Sequence, residues 1–76
     1  MIIAFADKAF EDYQFWKQND ETVLKRIDLI LKDIQKNPKK LEKDSNGYYS
    51  RIIILEHKLI YKIFNGMIVV AQCRFR

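Results

Sequence analysis

Seventy-six residues make one domain, taken here as residues 1–76, and exclude a second; a core that small contributes only ~3–5 kcal/mol net, so tight packing or a partner is expected to support it. A single cysteine, Cys73, excludes an internal disulfide, and no apolar run approaches the ~20 residues of a spanning helix. The formal net charge of +4 points to an anionic partner, either nucleic acid or an acidic protein segment.

Ile2 to Phe5 reads as a short apolar strand. Asp7 is expected to cap a first helix, with Glu11 and Asp12 complementing its dipole. These acids also interrupt the apolar stretch that a signal peptide would need, so a cytoplasmic setting is expected. Ala9, Tyr13 and Trp16 share one face of this helix with Phe10 beside them, and are read as packing residues. Asp20 caps a second helix in which Val23, Ile27, Ile30 and Ile34 recur at helical spacing, flanked by Leu24 and Leu31. Asn37–Pro38 ends it, because the residue before proline is biased out of the helical region.

Residues 38–47, PKKLEKDSNG, form a polar loop rich in lysine. From Tyr48 onward, isoleucine, valine and aromatic residues dominate. Turns at Glu56–His57 and Asn65–Gly66 divide them into strands at about 48–54, 58–64 and 67–75. The predicted fold is α+β, ordered β-α-α-β-β-β, with a helical hairpin packed on an antiparallel sheet.

Two registers are open for the last hairpin, and a shift of one residue exchanges the faces. A two-residue Asn65–Gly66 turn puts Lys58 and Lys62 with Val69 and Ala71. A three-residue Phe64–Asn65–Gly66 loop puts Leu59, Tyr61 and Ile63 with Val69, Ala71, Cys73 and Phe75. The second is favoured, because it gathers Lys58, Lys62, Arg74 and Arg76 at one end of the opposite face. Such a face can hold a phosphate backbone or an acidic segment. Tyr48, opening a strand beside it, can stack on a base. His57, the only histidine, is read as a turn residue. No Cys/His/Asp/Glu cluster has ligand spacing, so neither metal nor cofactor is expected. Cys73 is read as a small hydrophobe.

The stretches IIAFADKAFEDYQFW, KRIDLILKDIQKNP, GYYSR, EHKLIY and AQCRF, in this order and spacing, resemble the YoeB-type toxins of the RelE/ParE superfamily. The resemblance implies the RelE-like fold, a type II toxin–antitoxin module and ribosome-dependent cleavage of mRNA. The partners it implies are a ribosome with its mRNA and an antitoxin with an acidic tail. A homodimer and a toxin–antitoxin hetero-oligomer both stay open. In that chemistry a ribose 2′-hydroxyl attacks the adjacent phosphate, which needs a base, an acid and a cation.

Carried over by position, Lys58 stands where the family has an arginine after its Glu-His pair, and Arg76 where it has a histidine. Glu42 substitutes for the loop glutamate, and Ile52 replaces an arginine next to Arg51. The expected catalytic set is therefore Lys58, Arg76 and Glu42, with Arg51, Lys62, Arg74, Lys43 and Tyr48 binding RNA. Two alternatives remain: a degenerate homologue that binds antitoxin without cleaving, and a ParE-like toxin directed at gyrase.

Overall fold

Asp20 organises the helical half of the chain. In the computed structural model, which describes residues 1–40 and 43–75, it is the one residue between α1 (Asp7–Asn19) and α2 (Glu21–Lys36). Its Oδ1 accepts from the amides of Thr22 and Val23 at 3.1 and 3.3 Å, and its own N–H closes α1 on the Trp16 carbonyl at 2.8 Å. A cap of this kind contributes about 1 kcal/mol. At the start of α1 the expected cap is displaced. Ala6 stays extended because its N–H bonds the Val70 carbonyl, so Asp7 becomes the first helical residue and acts only through the helix dipole. Val23, Ile27, Leu31 and Ile34 form the buried stripe of α2. The helix stops at Lys36, two residues before Pro38.

The strands are β1 (Ile2–Phe5), β2 (Tyr49–Ile54), β3 (His57–Phe64) and β4 (Met67–Gln72), in sheet order β1-β4-β3-β2. The sheet expected to be antiparallel is mixed, because β1 runs parallel to β4. Hairpin links force β2, β3 and β4 to alternate, whereas the two helices separate β1 from them and leave its direction free. Ile3 and Phe5 thereby join Ile68 and Val70 on the helix-facing side.

The last hairpin corrects the favoured register. Asn65 and Gly66 both take positive φ, 50° and 72°, and Phe64 pairs with Met67, so the turn has two residues. Both central residues of a type I′ turn need positive φ, which Asn-Gly adopts readily. Ile68 and Val70 therefore enter the core, and Val69 lies opposite Lys62 on the outer face. Between Tyr61↔Val70 and Ile60↔Gln72 the register then slips by one at a bulge on Ala71. Beyond it the faces, though not the pairing, are those anticipated: Ile60 lies on the same face as Gln72, and Cys73 is fully buried. The strand expected to reach residue 75 ends at Gln72.

The preceding turn is Leu55–Glu56, one residue earlier than expected, so His57 begins β3 opposite Ile54. The register between β2 and β3 shifts at Ile53, whose carbonyl accepts from Arg26 of α2 at 3.1 Å. Tyr49 and Tyr61 stack across these strands, centroids 5.0 Å apart, beneath α2 in a core shared with Ile53 and Leu59. Trp16 is buried as expected, but Phe10 is 53% exposed and does not pack on the core. Among the described residues, no helix is long and apolar enough to cross a membrane.

Candidate functional site

The outer face of the β2–β3 hairpin carries an open groove of about 390 Å³. Alternation along β2 and β3 sends Ser50, Lys58 and Ile60 outward, because Tyr49, Ile53, Leu59 and Tyr61 take the inward positions. The loop before β2 supplies Lys43, Asp44 and Tyr48 to the same groove. Its shape comes from one carboxylate. Asp44 Oδ1 accepts from the amides of Asn46 and Tyr48 at 2.8 and 2.9 Å, while the Asp44 N–H donates to the Tyr48 carbonyl at 2.7 Å. Gly47, at φ 88°, lets the chain double back within this turn. The phenol of Tyr61 donates to the Pro38 carbonyl at 2.8 Å and fastens the other end of the connection to the sheet. Burial raises the pKa of that phenol, which keeps the donor protonated.

Four of the residues expected to bind RNA or act on it come together here. Lys43, Tyr48 and Lys58 line the groove, and the Lys62 ammonium lies 5.5 Å from the Tyr48 ring centroid and equally far from that of Phe64. Cations held over aromatic rings beside an open groove suit a ligand with anionic and aromatic parts. Ile52, paired with Lys58 on the same face, is 71% exposed and adds an apolar flank.

Two others lie elsewhere. Arg51 points to the helix side of the sheet, opposite Leu59, and its guanidinium meets Asp33 Oδ2 of α2 at 2.8 Å. That oxygen is sealed from solvent although the carboxylate as a whole is 37% exposed. The guanidinium holds the Asp33 carboxyl below the usual carboxylate range, assisted by Lys40 and Lys36 and opposed by partial burial. Arg74 lies past the end of β4, with its guanidinium carbon 3.6 Å from the centroid of the Phe15 ring. It borders a second groove, about 460 Å³, with Phe10, Glu11, Gln14 and Gln18 of α1. The basic patch expected from Lys58, Lys62, Arg74 and Arg76 is thus divided by the bulge and the end of β4. Glu42 and Arg76 lie outside the described residues.

Sequence reading did not single out Asp44, Ser50 or Asp33. For Asp44 a signal existed, since Asp-Ser-Asn-Gly favours a turn closed by the acidic side chain. Nothing local marks Asp33, whose partner is 18 residues away and on another element. His57 is not a groove residue. Its Nδ1 accepts the Phe75 N–H at 3.0 Å, and its ring stands edge-on to Trp16 at 4.9 Å. On α1, the Tyr13 phenol donates to Asp28 at 2.8 Å, and partial burial with that carboxylate pushes its pKa up to about 12. Among the described residues no group of three His, Cys, Asp or Glu could hold a metal ion.

Comparison with known proteins places this geometry in context. The family model for the YoeB-like toxin of bacterial type II toxin-antitoxin system matches residues 5–76. Toxin YoeB of Synechocystis sp. is 38% identical over 82 aligned positions, covering 99% of this chain and 95% of the relative. Among solved structures, the YoeB–YefM complex from Staphylococcus aureus contains a chain 38% identical, with a TM-score of 0.88 and coverage of 100% and 97%. The YoeB dimer from the same organism is 37% identical, with a TM-score of 0.86 and the same coverage.

Proposed function

The chain belongs to the YoeB-like toxin family of bacterial type II toxin–antitoxin systems, and on that premise we propose that it is an endoribonuclease acting on ribosome-bound mRNA. The observation that supports the reading is the groove on the β2–β3 hairpin, where Lys43, Lys58 and Tyr48 converge beside Lys62. The Lys58 ammonium neutralises the scissile phosphate as its charge grows during attack by the 2′-hydroxyl. It does so as a point charge, without the two-pronged grip of an arginine. Tyr48 stacks on a neighbouring base, and Lys62 and Lys43 hold the backbone on either side.

Glu42, just before the Asp44-closed turn in sequence, serves as the base. Asp44 is less suited to that role, because two amides already occupy its Oδ1. Arg76 contributes charge, since a guanidinium does not give up a proton near neutral pH. The same cationic face receives an acidic segment of the cognate antitoxin, a reading supported by the Staphylococcus aureus toxin solved with YefM.

One observation favours a second reading, a homologue that binds antitoxin and cleaves little. Arg51 and Arg74, two of the three arginines among the site residues, are engaged by Asp33 and Phe15 away from the groove. Purified protein incubated with translating ribosomes and a defined mRNA, with new 5′ ends mapped by primer extension, separates the two. Cuts that require ribosomes support the nuclease. Tight antitoxin binding without cuts above background supports the second reading.

A further inference from the structure

The chain loses its sheet partners at Gln72, yet the residues after it are held at several points by side chains. Asp12, fully buried on α1, accepts the Cys73 N–H on Oδ2 at 3.1 Å. The indole N–H of Trp16 donates to the Cys73 carbonyl at 2.9 Å, and the Cys73 thiol donates to the Ala9 carbonyl at 3.6 Å. One residue further, Arg74 stacks on Phe15. These contacts fix the segment to α1. A further hydrogen bond ties it to the sheet: the Phe75 N–H donates to Nδ1 of His57 at 3.0 Å.

That hydrogen bond defines the state of the imidazole. A backbone N–H can only donate, so Nδ1 carries a lone pair and the ring proton of the neutral form sits on Nε2. The ring's edge-on contact with Trp16, at 88° between planes, restricts its rotation. His57 is also the first residue of β3, immediately before Lys58, which lines the groove. One imidazole therefore joins the strand end that carries Lys58 to the segment that leads into Arg76.

We propose that His57 is a positioning residue that sets the C-terminal segment against Lys58 in the RNA-cleaving site. The proposal rests on the nuclease reading above. His57 touches no substrate in this role; it acts through the Phe75 backbone. Displacing a group by about 1 Å in a preorganised site can cost as much as ~100-fold in rate, so one lost anchor is enough to be measured.

His57→Phe keeps an aromatic edge against Trp16 and removes the acceptor. His57→Asn restores an acceptor oxygen at the position of Nδ1, attached to the same γ-carbon. The parent and both variants are compared by amide hydrogen exchange at Phe75, thermal melting and steady-state cleavage of ribosome-bound mRNA. In His57→Phe the Phe75 amide is expected to exchange at least ~10-fold faster with the fold intact, while kcat falls about tenfold and KM stays within about twofold. In His57→Asn most of both losses is expected to be recovered. Unchanged Phe75 protection in a folded His57→Phe protein overturns the anchor. Released Phe75 with unchanged kcat overturns the positioning role. A parent that cuts no mRNA overturns the nuclease reading and the catalytic part of the proposal with it, while amide exchange still decides whether His57 holds the segment.

Discussion

In the proposed nuclease, Lys58 concentrates the chemistry of the groove in one side chain. It is exposed at the start of β3, so its removal costs the fold little, and any effect on cleavage reports on the site. Lys58→Ala is expected to lower ribosome-dependent cleavage by about 10- to 100-fold, and Lys58→Arg to preserve or raise it, with melting temperatures within a few degrees of the parent. Cleavage by Lys58→Ala equal to the parent's would reduce the groove to a binding surface. The Arg51–Asp33 pair makes a different case, because here the charge supports the fold. Since Arg51 lowers the Asp33 pKa, folding favours the ionised carboxylate. Its contribution is complete above the unfolded carboxylate pKa of about 4 and fades as pH falls through the lower folded value. Asp33→Asn should therefore reduce the urea midpoint at neutral pH and flatten the loss of stability below about pH 4. An acid limb as steep as the parent's would assign that loss to other carboxylates. Lys58 could be singled out from sequence because it follows the Glu56–His57 pair. The engagement of Arg51 could not, since its partner lies on α2 and no spacing rule connects them.

At the scale of elements, the signals that succeeded were those whose cause is local. Asp20 caps α2 because a short acceptor beside an apolar stripe has one favourable use, and Pro38 limits that helix through its own sterics. The Asn65–Gly66 turn was also visible, yet the favoured register was wrong, and its assignment of faces held only beyond Ala71. The hidden variable is the bulge, which no glycine or proline announces and which is needed so that Val70 and Cys73, an odd number of positions apart, both reach the core. The turn itself gives a clean test. Gly66 sits at φ 72° with open space around the position of an added Cβ, so Gly66→Ala introduces backbone strain without a clash. It should destabilise the protein by about 1–2 kcal/mol, read as a shift in the urea midpoint at unchanged slope. No shift would mean that the hairpin relaxes to another turn.

For the molecule as a whole, the helices cover one side of the sheet and leave the other exposed. On that open side Ile2, Ile52 and Phe64 are more than half exposed, interleaved with Lys58 and Lys62. The α+β architecture was legible because two helical stripes and four apolar strands admit few arrangements around one core. The site was only half legible, since alternation places a side chain on a face but does not tell which neighbour will capture it. The division of the basic residues has a consequence for antitoxin binding. Lys43, Lys58 and Lys62 remain available to an acidic segment, whereas Arg51 is already paired with Asp33. Exposed cations steer association and lose that effect as salt screens them. Stopped-flow association with the cognate antitoxin should therefore slow by about tenfold at low salt in the combined Lys43→Ala, Lys58→Ala and Lys62→Ala variant. Its rate should also depend less on ionic strength than the parent's, while Arg51→Ala should leave the salt dependence unchanged. If the triple variant associates as fast as the parent with the same salt slope, the acidic segment docks on another face, and the second groove beside Arg74 becomes the surface to test.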